Sequence, residues 1–236
     1  MPRFDLIAFD ADDTLWQNER LYLEAQATLR QILSRYHQPA WIDERLHQVE
    51  LRNLQHFGYG VKGFALSMIE TAVELTEGRV TGREVQAIID AARAMLSADV
   101  ELLDHVSETL ALLAEARPLM LLTKGDLFDQ EAKIARSGLA PSFRHVEIVS
   151  DKRPETYAAI LRRYGVPPER FLMVGNSLRS DILPVLDIGA SAVYVPHELT
   201  WAHESAAPPR GRPGFYEIAH IGLLPGLLAE LERQGG

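Results

Sequence analysis

The densest chemical potential in the sequence lies near its start, in Asp10-Ala11-Asp12-Asp13-Thr14. These residues directly follow a short run, Phe4 to Phe9, that mixes β-branched, aromatic and leucine residues and reads as a strand. Two carboxylates two residues apart, where a chain leaves the extended conformation, can face one cavity. Such a pair suits a hard cation such as Mg2+, which takes a few carboxylates together with water and phosphate oxygens. The cation in turn offsets the repulsion between a carboxylate nucleophile and an anionic phosphate. The same residues also suit an acidic turn capping the next helix, because Asp and Thr favour such positions.

Three later clusters bear on that choice. Leu121-Leu122-Thr123-Lys124-Gly125 puts a hydroxyl after an apolar run, with a glycine that permits close backbone approach. Asp151-Lys152-Arg153-Pro154 puts a cation just before a helix that starts at proline. Val174-Gly175-Asn176-Ser177-Leu178-Arg179-Ser180-Asp181 puts polar and acidic groups after another apolar run. Each alone is an ordinary turn or cap. Their order is the signal: a carboxylate pair, a hydroxyl, a lysine and an acid, each at the end of a separate strand. Parallel strands would bring all four ends to one edge.

The elements needed for this are legible. Apolar runs at Phe4–Phe9, Pro118–Leu122, Val146–Val149, Phe171–Val174 and Ala192–Val195 have the character of parallel strands covered on both faces. Helical patterns at 127–137, 154–164 and 179–188 alternate with them, which predicts an α/β fold with a doubly wound parallel sheet. A short strand near Phe215–Ala219 and a helix from about 224 to 233 close the chain. Residues 16–99 differ. Stripes such as Leu21, Ala25, Leu29, Ile32 and Leu33, then Ile42, Leu46, Val49 and Leu54, recur at helical spacing. Breaks at His37-Gln38-Pro39, Gly58-Tyr59-Gly60 and Glu77 to Gly82 predict four antiparallel helices. Inserted after the first strand, they are expected near the edge of the sheet where ligands bind, in the place of a lid.

With these motifs in this order, the sequence resembles the haloacid dehalogenase-like hydrolase superfamily, in the branch with a helical cap inserted after strand one. The resemblance covers a Rossmann-like core at 1–15 and 100–236 and a helical-bundle cap at 16–99. It implies that Asp10 is a nucleophile forming an aspartyl-phosphate and that Asp12 protonates the leaving alcohol, then activates water. It implies that Thr123 hydrogen-bonds a phosphoryl oxygen and that Lys152 neutralises Asp10 and the phosphoryl group. The implied cofactor is Mg2+, held by the Asp10 side chain and the Asp12 carbonyl, with Asn176 and Asp181 placed in the same site. Many members carry an acid directly after the glycine of the fourth motif. Here that position is Asn176, a neutral amide with weaker attraction for a cation, and the matching acid is Asp181.

The dehalogenase branch works without metal and lacks the second aspartate of the first motif, so Asp12 favours phosphatase chemistry. Metal-independent dehalogenation and a catalytically silent binding or regulatory module on the same fold are the alternatives. Mutase or phosphonate-cleaving chemistry has no residue here that singles it out. The expected partner is a small phosphorylated metabolite, contacted by Lys124 and by the cap residues Arg52, His56, Tyr59 and Lys62. A monomer or homodimer is expected.

Composition sets outer bounds. The chain has 236 residues, 47% apolar and 24% charged, and no cysteine, which excludes thiolate metal sites and thiol nucleophiles. A net charge of −9 argues against a general nucleic-acid binder. No apolar run approaches the roughly 18 residues that cross a bilayer, and the first residues lack a signal-peptide pattern. The cytoplasm is the expected location.

Overall fold

The computed structural model describes residues 3–234. In chain order its elements are β1 (Leu6–Phe9), α1 (Glu19–Leu33), α2 (Pro39–Phe57), α3 (Val61–Leu75), α4 (Gly82–Ser97), α5 (Val106–Ala116) and β2 (Leu119–Lys124). There follow α6 (Leu127–Ser137), β3 (His145–Val149), α7 (Pro154–Tyr164), β4 (Phe171–Gly175), α8 (Leu183–Asp187), β5 (Ser191–Tyr194), β6 (Phe215–Glu217) and α9 (Leu224–Gln234). The six strands make one sheet in the order β3-β2-β1-β4-β5-β6, with every neighbouring pair parallel. This is the doubly wound, Rossmann-like α/β arrangement, in which ligands bind beyond the carboxyl ends of the strands.

Two compact units divide the chain. One comprises 1–19, 100–124 and 131–236; the other comprises 20–99 and 125–130. The helical unit therefore starts four residues later than the expected 16, and it takes in a short stretch after β2. Residues 16 and 17 stay with the sheet because Trp16 bridges to Leu102 and the Gln17 N–H donates to Glu101 O at 2.9 Å.

Alternation along the strands divides the sheet unit into two apolar layers. Ile7, Phe9, Leu119, Leu121, Leu172, Val174 and Val193 face one side, where they meet Val106, Leu110 and Leu113 of α5, Ile134 of α6 and Leu224, Leu228 and Leu231 of α9. Leu6, Ala8, Met120, Leu122, Phe171, Met173 and Ala192 face the other, against Tyr157, Ile160 and Leu161 of α7 and Val185 and Leu186 of α8. Burial of this apolar area is the main force fixing the strand ends in register. The helical unit has its own core, in which Ala25, Leu29 and Leu33 meet Ile42, Leu46, Phe64, Met68, Ala72, Ile88 and Ala92. Its last helix, α4, opens with a capping box: the Glu84 N–H donates to Thr81 Oγ1, and the Thr81 N–H donates to Glu84 Oε2.

Three elements depart from the sequence reading. Helix α5 was not foreseen: its N-cap is His105, in a left-handed conformation with no side-chain cap, so the usual start signal is missing. β3 is not covered on both faces. It is an edge strand with half-buried His145 and Glu147 and exposed Val146. The helix expected at 179–188 is split. Leu178–Ile182 forms one π-type turn, closed by the Leu183 N–H donating to Leu178 O, before α8 begins. Pro184 explains the split, since it has no N–H to donate to Ser180 O four residues back. That carbonyl accepts instead from the Tyr157 hydroxyl at 2.9 Å. Among the described residues no helix is long and apolar enough to cross a membrane.

Candidate active site

Register brings the expected site residues to one edge. Phe9 lies level with Leu121 on one side and Val174 on the other, so Asp10, Thr123 and Asn176 all stand at the same ends of three adjacent strands. The Asp10 N–H still donates to Val174 O at 2.9 Å, after which the chain turns sharply. Thr14, Leu15 and Trp16 all point their N–H groups back to Ala11 O, and Asp13 sits at φ 59°. A left-handed aspartate is uncommon, and here its side chain compensates: Asp13 carboxylate oxygens accept the N–H groups of Asn18 and Glu19 as α1 starts. The helix-capping role that an acidic turn can play therefore belongs to Asp13, leaving Asp10 and Asp12 for other partners.

Lys152 is the hub. It comes from the loop before α7, is 3% exposed, and places its Nζ 2.5 Å from Asp10 Oδ1 and 2.7 Å from Asp181 Oδ1. Asp181 is wholly buried, and its second oxygen accepts the Ser177 N–H at 2.9 Å. A Cβ on Gly175 would lie 2.3 Å from that oxygen, so only glycine lets the Asp181 carboxylate pack against the end of β4. Thr14, from the first motif, joins the other side: its hydroxyl lies 3.1 Å from Asp10 Oδ2 and 3.3 Å from Asn176 Oδ1, and it accepts the Asn176 N–H. Burial pushes the Asp10 carboxyl up, the Asp181 charge adds to this, and Lys152 pulls it down, leaving it at about 7. Burial alone would lower Lys152, but the Asp10 and Asp181 charges outweigh it and keep the ammonium protonated.

Asp12 looks elsewhere. Both its oxygens accept from Lys133 Nζ of α6, at 2.7 and 2.9 Å, and the Trp16 indole N–H donates to Oδ1 at 2.8 Å. Trp16 thus orients a carboxylate from a buried position. Thr123 is buried at the end of β2. Lys124 turns to Ser180 Oγ at 2.7 Å and to the carboxylate of Glu204. Burial pushes the Glu204 carboxyl up, but the Lys124 charge and hydrogen bonds from Lys124, Ser177 and Ser180 bring it down to about 2. Glu19 goes the other way: burial, then the charges of Asp13, Asp12 and Glu204, push it up to about 7.

The four cap candidates lie in the helical unit. Arg52 pairs with Glu70 at 2.7 Å and Glu74 at 2.9 Å, and Lys62 pairs with Asp126 at 2.9 Å. His56 is exposed beside Phe57, and Tyr59 is half-buried. Two of the four candidates, the cations Arg52 and Lys62, thus already serve ion pairs inside that unit.

Sequence reasoning passed over Thr14, Lys133, Ser177, Ser180 and Glu204. Thr14 stood within the first motif and was legible there. Lys133 and Glu204 lie far along the chain from their partners, and no spacing connects them.

All donors available to a metal here are oxygens. Asp10 Oδ2 and Asn176 Oδ1 converge on one hydroxyl, and Asp181 lies close enough for its charge to add to the burial that raises the Asp10 carboxyl. Among the described residues no three His, Cys, Asp or Glu side chains form a metal cage. A set of one carboxylate, one amide oxygen and main-chain oxygen fits Mg2+, which keeps several waters, and not a cation needing a full protein cage. Asp181, expected among the ligands, has both oxygens engaged by Lys152 and the Ser177 amide.

The haloacid dehalogenase-like hydrolase family model matches residues 4–189. The solved structure of a haloacid dehalogenase-like family hydrolase from Xanthomonas campestris is 43% identical, covers 99% of this chain and 94% of its own, and superposes with a TM-score of 0.89. Two curated relatives are named glyceraldehyde 3-phosphate phosphatase. That of Methanothermobacter thermautotrophicus is 34% identical over 99 residues, covering 39% of this chain and 43% of its own length. That of Pyrococcus furiosus is 31% identical over 125 residues, covering 49% and 48%. The chain thus spans less than half the length of the curated relatives it matches.

Proposed function

The chain belongs to the haloacid dehalogenase-like hydrolases, and from that premise we propose that it is a Mg2+-dependent phosphatase acting on a small phosphorylated metabolite. The observation that supports this most is the Asp10–Lys152 contact at the end of β1, with a second carboxylate, Asp12, on the same turn. A metal-independent dehalogenase has no use for that second acid. The partial likeness to two proteins named as phosphatases supports the same reading.

In this reading an Asp10 oxygen attacks phosphorus, the bond from phosphorus to the leaving oxygen breaks, and an aspartyl-phosphate forms. Lys152, fixed by Asp181, neutralises the charge gathering on Asp10 and the phosphoryl oxygens. The buried Thr123 hydroxyl donates to one of those oxygens. Asp12 gives a proton to the leaving alkoxide, then takes one from the water that cleaves the acyl-phosphate, releasing inorganic phosphate and restoring Asp10. Lys133 and the Trp16 indole N–H hold the Asp12 carboxyl in place. Mg2+, held by Asp10, Asn176 and the Asp12 carbonyl, would offset the repulsion between nucleophile and phosphate.

Phosphate release from a panel of phosphate monoesters, with and without Mg2+, tests this. Release that needs Mg2+ and vanishes in Asp10→Asn supports it. Release that persists in Asp10→Asn, or that proceeds equally with excess chelator, overturns it.

A further inference from the structure

The segment between β5 and β6, residues 195–214, is long for a connection and carries prolines at 196, 208, 209 and 213. Its one element is a single turn, Ala202–Glu204. Half of its residues are exposed, yet Glu204 reaches inward, with its side chain 12% exposed. The carboxylate meets three donors: Lys124 Nζ on Oε1, with the Ser177 and Ser180 hydroxyls on Oε2, the last at 2.6 Å. Lys124 Nζ also donates to Ser180 Oγ at 2.7 Å, and the Ser180 N–H donates to Ser177 Oγ at 2.9 Å. The hydroxyls and the ammonium are therefore oriented by one another as well as by the acid they hold.

Each donor stands one residue from a member of the Asp10 site: Lys124 beside Thr123, Ser177 beside Asn176, and Ser180 beside Asp181. An ammonium and two fixed hydroxyls form a receptor for a carboxylate, whichever molecule supplies it. We propose that Lys124, Ser177 and Ser180 form a carboxylate subsite next to Asp10, filled from within the chain by Glu204 and opened to a carboxylate-bearing ligand when that segment withdraws. The subsite stands on the Glu204 contacts alone; that its ligand is a phosphate monoester rests on the phosphatase reading.

Two titrations on the full chain decide it. In Glu204→Ala, sodium acetate raises the thermal midpoint saturably and sodium chloride at matched ionic strength does not, while wild type shows no difference between the salts. Adding Lys124→Met to Glu204→Ala removes the response. The second titration measures binding of carboxymethylphosphonate against ethylphosphonate in the presence of Mg2+. Glu204→Gln removes the competing charge, so preference for the carboxylate-bearing probe rises about tenfold over wild type, the worth of one charged hydrogen bond. No acetate effect in folded Glu204→Ala, or an effect that survives loss of Lys124, overturns the subsite. If Glu204→Ala does not fold, an unchanged phosphonate preference in Glu204→Gln overturns it. Acetate rescue without binding of either phosphonate would contradict the phosphate reading and leave the subsite standing.

Discussion

Asp10 and Lys152 are held by so few atoms that single substitutions should separate chemistry from fold. Asp10→Asn keeps volume and removes the attacking charge. It is expected to lower turnover by at least about a thousandfold, since a nucleophile acts as one unit with its partners. Its circular dichroism should match wild type. Gly175→Ala makes a different prediction. The added methyl would strike the Asp181 carboxylate, which has nowhere to go in a buried site. A cost of about 2 kcal/mol in urea unfolding is expected, as for other overpacked positions. Turnover falls with it, because Asp181 fixes Lys152. Full stability together with full activity in Gly175→Ala would contradict the positioning role. The placement of Asp10 and Thr123 at strand ends and of Lys152 just before a helix was legible at this scale, because buried runs and a helix-starting proline mark those points. Lys133 and the ion pairs that occupy Arg52 and Lys62 were not, since side-chain partners far apart in sequence leave no pattern in it.

At the scale of elements, the segment between β5 and β6 ties its own stability to pH through Glu204. The folded carboxyl stands at about 2 against an ordinary value of 4.5, so its contribution is fully present above 4.5. It is lost as pH falls from there toward 2, with roughly 3 kcal/mol at stake. The difference in unfolding free energy between wild type and Glu204→Gln should be flat from neutral pH to about 5 and shrink below it. A difference that grows on acidification would contradict the buried ion pair. Helix α6 carries a second prediction. Lys133→Met should lower turnover about tenfold by freeing Asp12 from its bidentate partner, checked by steady-state kinetics with the unfolding midpoint as control. The strands were readable because apolar runs bounded by turns have few alternatives. β3 misled by its edge position, α5 by its missing cap, and the 179–188 helix by Pro184, whose lost N–H reroutes a carbonyl to Tyr157.

For the whole molecule, the governing quantity is charge. The chain carries −9, and Asp10, Asp12 and Asp181 bring three carboxylates to the sheet edge against Lys152 and Lys133. If Mg2+ binds there as proposed, its apparent affinity should weaken several-fold between about 20 and 200 mM monovalent salt, because salt screens that attraction. An affinity independent of salt would place the metal away from these carboxylates. The two-unit division was legible because a strand–helix alternation gives way to four amphipathic helices. The exact boundary was not, because Trp16 and Gln17 join the sheet unit through contacts with residues more than eighty positions away.

The proposed phosphatase chemistry requires that Asp10 become phosphorylated. Its most direct test is mass spectrometry of acid-quenched enzyme during turnover of a hydrolysed ester, followed by mapping of the modified peptide. One phosphoryl group on the peptide containing Asp10, absent in Asp10→Asn, is the predicted result. Steady phosphate release with no phosphoryl group on Asp10 under rapid quench, or with one on another residue, would contradict it.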